Sequence, residues 1–381
     1  MKGSKELKKL VVISERYPTA GDPVFTFVDN LLVQLKGLGV DIRVISPQSA
    51  SRRLIRGGVQ RPGKWERQTE KGSFTVHQPF YVSTGTLLPG LNHRLYVRAV
   101  KREMRAIIKG GFLPDAGYAH FWRSGIAGAA ALPEGLKVFV ACGESEVKPE
   151  LEQGARAMLP KLGGVISVSS KNREDCIRMY GVSPERIAVL PNGVSPIFCP
   201  PDPGERLRTR EDLGILEHEL AVIFVGWFNE RKGVKRLEAA LKGLDGVKAL
   251  YVGSGPMPPQ GDNIAFSGQV EHDQLPKLLG AADVFVLPTL AEGCCNAIVE
   301  AMACGLPVIS SLGAFNDDLL HEDDSIRVDP MDVQAIRSAV LRLKEDGELR
   351  VEMGARALAF ARDLDVGRRA ARIKAFIQER M

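Results

Sequence analysis

The segment LPTLAEGCCNAIVEAMACGLPVI (287–309) carries two glutamates, Glu292 and Glu300, on either side of a point where a helix can start. An apolar run ending at Leu287 gives way to a loop at Pro288, and Gly293 allows a tight backbone there. The spacing predicts a helix that begins near Asn296, acting as its N-cap, and stops at Gly305 before Pro307. The unpaired amides of such a helix start, helped by the helix dipole, form a site for a diphosphate. At about 1.5 Å rise per residue, the two carboxylates can address different ends of one extended ligand. A nucleotide sugar has that shape, with hydroxyls on the sugar and on the ribose and phosphates between them. On spacing alone the plainer alternative stays open, with Glu292 a first-turn helix residue and Glu300 a solvated one.

Holding such a loop in place takes a sheet with helices packed on it. Short runs rich in Val and Ile recur at 10–13, 42–45, 138–141, 165–168, 187–190, 222–225, 249–252, 284–287 and 308–310. Runs of this length, apolar on both faces, read as buried strands of a parallel sheet. Helical patterns lie between them, as at 25–38 and 234–244, so the expected architecture is doubly wound α/β. A chain of 381 residues is too long for one core and suits two such domains. The stretch 191–210 holds Pro191, Pro196, Pro200, Pro201 and Pro203 with Gly193 and Gly204, and reads as a linker. The expected domains are 1–195, joined by 366–381 crossing back through Ile373 and Phe376, and 196–365. Ligands of such folds sit at the carboxyl ends of the strands.

Composition excludes several classes. Hydrophobic content of 44% and charge content of 25% are those of an ordinary globular protein, and a net charge of +5 is too weak to argue for nucleic acid as a partner. The six cysteines form no C-x-x-C pair, which argues against zinc, a thioredoxin-like site or a disulfide framework. The N-terminal apolar run before Glu15 is too short for a signal peptide, and no stretch approaches the roughly 18 apolar residues of a membrane span. A reduced, cytoplasmic setting follows as the expectation. The lone D-x-D string, Asp363 to Asp365, falls among the C-terminal helices and reads as surface rather than as a metal site.

The E-x7-E pattern in its context AEGCCNAIVEAMACGLPVI resembles the donor signature of the retaining glycosyltransferases of family 4, which have the GT-B fold. GWFNERKG (226–233) is similar to that family's phosphate-binding loop, and VGSGP (252–256), FSGQV (266–270) and AADVFVLPT (281–289) to its following segments. VLPNGVSPIFCP (189–200) and SVSS (167–170) extend the likeness along most of the chain. The resemblance implies two Rossmann-like doubly wound domains with an interdomain cleft, and an enzyme of the hexosyltransferase type. It implies that Glu300 accepts hydrogen bonds from ribose hydroxyls and that Glu292 binds hydroxyls of the donor sugar. The amides of Gly293, Cys294, Cys295 and Asn296 would face sugar and phosphates. Gly226 and Arg231 would belong to the phosphate loop, and Lys232 would neutralise the leaving diphosphate. Gln269, Val270 and Glu271 would lie near the base, and His120, in AGYAHFWRSG, near the reacting sugar. Transfer would retain the anomeric configuration without a covalent nucleophile, the leaving phosphate helping to deprotonate the acceptor. Neither cofactor nor metal is implied, since Lys232 and helix amides can do a cation's work.

Three positions depart from the family pattern. Trp227 stands where an arginine is usual, so that either Arg231 supplies the charge or Trp227 is core. Cys142–Gly143 replaces a histidine–glycine pair, and the glycine-rich loop after the first strand is reduced to YPTAGDPVFT (17–26) with Gly21 its one glycine. The departures read as altered specificity rather than lost activity. For the acceptor, basic residues gather at Arg52, Arg53, Arg56, Arg61, Lys64, Arg67 and Lys71, and again at Arg94, Arg98, Lys101, Arg102, Arg105 and Lys109. Tyr81, Leu87, Leu88 and Leu91 lie just upstream of the second group. A basic face beside apolar groups suits docking on an anionic membrane surface, each cation contributing about 1 kcal/mol, while a merely solvated helix face remains the alternative. The expected reaction is therefore sugar transfer from a UDP- or GDP-sugar to a glycan or lipid-linked acceptor, as in surface polysaccharide or glycolipid synthesis. A non-catalytic nucleotide-sugar-binding subunit and a GT-B nucleotide-sugar epimerase stand as alternatives.

Overall fold

A computed structural model describes residues 6–19, 24–51, 62–83 and 88–381. Gly21, Arg52, Arg53, Arg56, Arg61 and Leu87 lie outside the described residues. The chain forms two compact units, Met1–Leu190 with Val366–Met381, and Pro191–Asp365.

In the first unit the strands are β1 (Lys9–Ile13), β2 (Asp41–Ile45), β3 (Gln48–Ser49), β4 (Lys64–Thr69), β5 (Gly72–His77), β6 (Phe80–Tyr81), β7 (Ala116–His120), β8 (Val138–Cys142), β9 (Leu162–Ser167) and β10 (Ile187–Val189). The main sheet runs β10-β9-β8-β7-β1-β2-β5-β4, while β3 and β6 pair apart. Every pairing in the main sheet is parallel except the edge hairpin β4–β5. Helices cover both faces, and residues such as Val11, Val12, Tyr118 and Val140 are buried in the sheet. The last helix, Val366–Gln378, belongs to this unit and sets Ala370, Ile373, Phe376 and Ile377 into the same core as Val28, Leu31 and Leu35.

The second unit holds β11 (Leu220–Val225), β12 (Val247–Val252), β13 (Ile264–Gly268), β14 (Val284–Leu287), β15 (Val308–Ser311) and β16 (Ser325–Val328). All pairings are parallel, in the order β13-β12-β11-β14-β15-β16. The chain winds outward from β11 to β13 and returns to wind the other way from β14. The order therefore reverses between β11 and β14, the place where such sheets open a crevice for ligands. In the first unit the same reversal falls between β1 and β7, at whose carboxyl end His120 stands. Two Rossmann-like parallel-sheet units are thus the architecture of this chain.

Two local readings need correction. The segment 191–210 is not linker throughout, because residues Pro203–Asp212 form a helix. Pro203 occupies the first turn, where its missing N–H costs nothing, and the Asp202 carboxylate caps the helix by accepting from Gly204 N and Glu205 N. Asn296 is not the N-cap but the first residue of the helix Asn296–Ala303, and Cys295 holds the cap position. The side chain of Asn296 is taken by another partner, described below.

Candidate functional site

The loops after β11 and β14, side by side at the switch point of the second unit, bring most of the expected donor residues together. Glu292 is buried, 7% exposed, and its Oε1 collects three donors. Lys232 Nζ lies at 2.7 Å, Thr289 Oγ1 donates at 2.8 Å and Arg231 Nη1 at 2.9 Å. Arg231 Nη1 also donates to the carbonyl of Ala291. Burial opposes the charge on Lys232, but the neighbouring Cys295 thiol and the Glu292 carboxylate outweigh it, and its pKa stands above the ordinary lysine value. The Cys295 thiol, 3.8 Å from Lys232 Nζ, is itself pushed up by burial.

The phosphate-loop segment 226–233 is held by its backbone. Phe228 N donates to Ser254 O at 2.7 Å, Met257 N to Phe228 O at 3.0 Å, and Lys232 N to Asn229 Oδ1 at 3.0 Å. Glycine is required at Gly253 (φ 148°) and Gly255 (φ 155°), where a Cβ would collide with the Gly226 carbonyl and the Phe228 backbone. The Lys232 chain passes close to Gly226. Trp227 is 52% exposed and so is not core, which removes one of its two expected readings. The guanidinium of Arg231 is spent on Glu292 and Ala291.

Glu300, one turn into the helix, meets His272 Nε2 at 3.2 Å. That hydrogen bond, against burial, raises the His272 pKa above the ordinary histidine value. The ring of Phe198 meets the His272 ring edge-on at 5.2 Å. Asn192 ties the helix start down: its Nδ2 donates to Asn296 Oδ1 at 2.8 Å and to Cys294 O at 3.1 Å, and its amide donates to Cys294 Sγ at 3.3 Å. Gln269 and Val270 follow β13 and lead to His272, and Val270 lines a groove with Phe266, Glu271 and Lys277. Sequence reasoning passed over Asn192, Thr289 and His272. Asn192 and Thr289 lie inside motifs quoted for their neighbours, and His272 beside Glu271 was the remaining signal. No cluster of three or more metal-ligating side chains occurs among the described residues.

In the first unit, His120 ends β7 within an aromatic box, its ring 4.7 Å from Phe121, 5.0 Å from Phe27 and 6.4 Å from Phe25 and Tyr118. Its Nδ1 is buried without a hydrogen-bond partner. Burial first, and the charge of Arg369 second, push its pKa down to about 3. Phe25 (φ 60°) and Phe121 (φ 71°), which flank it, are the two non-glycine residues with positive φ among the described residues. Such strain costs about 1–3 kcal/mol each and gathers at functional sites. Cys142 is buried with its Sγ 3.5 Å from Cys176 Sγ, and all six cysteines are free thiols. Tyr17, in the reduced loop, is buried and donates to Asp29, which also holds Arg67 at 2.7 Å. Arg67 is thereby removed from the expected basic patch. Lys71 turns to Gln34. Arg94, Arg98, Lys101, Arg102 and Arg105 do share a groove of about 750 Å³ with Phe80, Tyr81 and Val82.

Residues 24–198 match the family model described as Glycosyltransferase Family 4, and residues 219–346 the model described as Glycosyl transferases group 1. The chain belongs to the family 4 glycosyltransferases. This transferase is 28% identical over 356 residues to TuaC of Bacillus subtilis, a protein named for teichuronic acid biosynthesis, covering 89% of this chain and 90% of that one. It is 28% identical over 256 residues to a GDP-mannose-dependent phosphatidylinositol monomannoside mannosyltransferase of Mycobacterium tuberculosis, with 60% of this chain and 66% of that one covered. Sucrose-phosphate synthase from Thermosynechococcus elongatus shares its fold with a TM-score of 0.78 at 19% identity, over 98% of each chain. HepE of Anabaena, solved in complex with UDP, shares it at 0.73 and 18% identity, over 98% of this chain and 100% of that one. The transferase is an enzyme of the glycosyltransferase class with GT-B architecture, and its relatives serve polysaccharide and glycolipid synthesis. Among the described residues no helix is long and apolar enough to cross a membrane.

Proposed function

We propose that this transferase moves a hexose, with retention of configuration, from a nucleoside diphosphate sugar to a lipid-linked glycan acceptor. The observation that carries the reading is the buried Glu292 oxygen shared by Lys232, Arg231 and Thr289 beside the start of the helix Asn296–Ala303. A bound donor sugar offers its hydroxyls to Glu292, which frees the two cations to face the diphosphate. Helix amides and the positive charge of Lys232 then stabilise the departing phosphate without a metal ion. Glu300, oriented by His272, accepts from the ribose hydroxyls. Neutral His120, with its unpartnered Nδ1 at the switch point of the first unit, is available as a hydrogen-bonding group rather than as a cation. The UDP and UDP-glucose complexes of HepE support the donor class.

The acceptor reading rests on the groove along the helix Pro89–Lys109. Arg94, Arg98 and Arg105 are exposed, and among the described residues no carboxylate pairs with them. Phe80, Val82, Leu88 and Leu91 are exposed beside them. Cations with an apolar rim fit the phosphate and first methylenes of an anionic lipid.

A thermal-shift screen against UDP, GDP, ADP and their sugar conjugates, with and without magnesium, tests the donor site, because a ligand of the folded state alone raises its stability. One nucleotide class should raise the melting temperature equally in magnesium and in EDTA, and Glu300→Ala should abolish the rise. No shift with any nucleotide would overturn the reading. Sedimentation with vesicles of phosphatidylglycerol and of phosphatidylcholine tests the groove, and equal binding to both would remove the lipid acceptor.

A further inference from the structure

We infer that Trp227 forms a saccharide-binding platform, on which the apolar face of the donor's hexopyranose ring stacks. The inference rests on the nucleotide-sugar reading above and adds a sugar subsite to it.

Two neighbouring aromatic residues have opposite surroundings. Phe228 is buried, its ring 6.1 Å from that of Phe224 at the end of β11. Trp227, one residue earlier, leaves 52% of its surface in water. An exposed indole on a mobile loop would mean little, but this loop is pinned on both sides of the residue. Gly226 N donates to Val252 O at 2.9 Å and Phe228 N to Ser254 O at 2.7 Å. The carbonyl of Gly226, half of the peptide that joins it to Trp227, lies so close to Gly253 that no side chain fits there. Asn229 N closes a tight turn onto Trp227 O at 2.9 Å. The backbone therefore fixes the point from which the indole projects, and the large apolar area it leaves hydrated is stabilised only when something covers it.

What covers it follows from its neighbours. Trp227 stands at the carboxyl end of β11, at the switch point, next to the glycine over which the Lys232 chain passes. Lys232 leads to Glu292 at 2.7 Å. The site thus offers a hydroxyl acceptor and a cation together with one exposed aromatic surface on a fixed backbone. A pyranose ring has the matching chemistry, with a rim of hydroxyls and a face of C–H bonds. Glu292 takes the hydroxyls and the indole takes the C–H face. The phosphates keep Lys232 and the helix amides, so an arginine beside Gly226 is dispensable.

Intrinsic fluorescence tests this directly. Of the three tryptophans, Trp122 is buried and Trp65 lies in the first unit, so titrations are run with wild type and Trp227→Phe. The probes are UDP, UDP-glucose, GDP and GDP-mannose. The expected result is a change of emission with the sugar conjugate that binds and none with its bare diphosphate, abolished in Trp227→Phe. Trp227→Ala should weaken the conjugate about tenfold while leaving the affinity for the bare diphosphate unchanged. An equal response to the bare diphosphate, or equal weakening of both ligands in Trp227→Ala, overturns the platform while leaving the donor site standing. No binding of any of the four probes, with no thermal shift from ADP or its sugar conjugates, overturns the nucleotide-sugar reading and this inference together.

Discussion

Lys232 Nζ stands 2.7 Å from Oε1 of Glu292, and this ion pair is the centre on which the loops after β11 and β14 converge. Each side chain is largely shut from water, so each depends on the other, since removing one partner of a buried pair leaves the other uncompensated.

Glu292→Gln should therefore lower stability by about 3 kcal/mol, because Lys232 and Arg231 lose their common anion. Lys232→Met in the same background should recover part of the loss. Thermal denaturation of the single and double variants reads this coupling. Additive effects would mean that the pair is not the structural centre. Sugar transfer by Glu292→Gln should fall by about two orders of magnitude or more.

The pair of His272 with Glu300 should make stability depend on pH. The folded imidazole titrates above its ordinary value because of the Glu300 hydrogen bond. Its contribution is fully present below the unfolded value of about 6.5 and is lost as pH rises through the folded pKa. The half-buried pair is worth about 0.5–1 kcal/mol. Wild type should exceed His272→Gln in melting temperature at low pH and lose that margin at high pH. A margin that is the same at both ends would contradict the assignment.

His120 should act in the opposite direction. Its folded pKa of about 3 lies below the unfolded value, so the unfolded chain binds the proton more readily. Its effect on stability is neutral above about pH 6.5 and becomes a penalty as pH falls toward 3, on the order of a few kcal/mol at the acid end. His120→Asn should shift the acid unfolding midpoint to lower pH. An unchanged midpoint would show that the imidazole is not shielded from protons.

Gly253→Ala should cost on the order of 3–5 kcal/mol and weaken nucleotide binding, because the new methyl meets the Gly226 carbonyl in a backbone region that L residues avoid. Gly63→Ala, where nothing lies within 4 Å, serves as the control and should leave both unchanged. Chemical denaturation and a nucleotide titration of both variants check the contrast.

Much of this protein was legible in its residues because the relevant signals are local. Val-rich runs such as LVVI and VFVL leave a buried parallel strand little alternative. The segment from Leu287 to Pro307 fixed a strand, a loop and a helix through Pro288, Gly293 and Gly305, and it named Glu292 and Glu300 in doing so. β7 (AGYAH) gave a weak signal for the converse reason. It is built of small residues, and a Cβ at Gly117 would come within 2.6 Å of Leu132. The edge strand β4 alternates exposed and half-buried positions, so Arg67, and Lys71 in the turn that follows, looked like part of a basic run.

What sequence alone determined is the succession of strands, loops and helices, and the types of residue offered at the strand ends. Tertiary structure decided which of those residues meet. Asn192 is far along the chain from Asn296, His272 from Glu300, and Arg231 from Glu292, and nothing in local spacing ties them together. Arg231 meets Glu292 because strand order, set by burial of apolar faces over the whole sheet, places the loops after β11 and β14 side by side, and the segments before β11 and after β13 bring Asn192 and His272 to the helix that follows β14. The same packing held Trp227 out in water, Arg67 on Asp29 and Cys142 against Cys176, because each side chain's surroundings belong to distant segments rather than to its own neighbours in sequence.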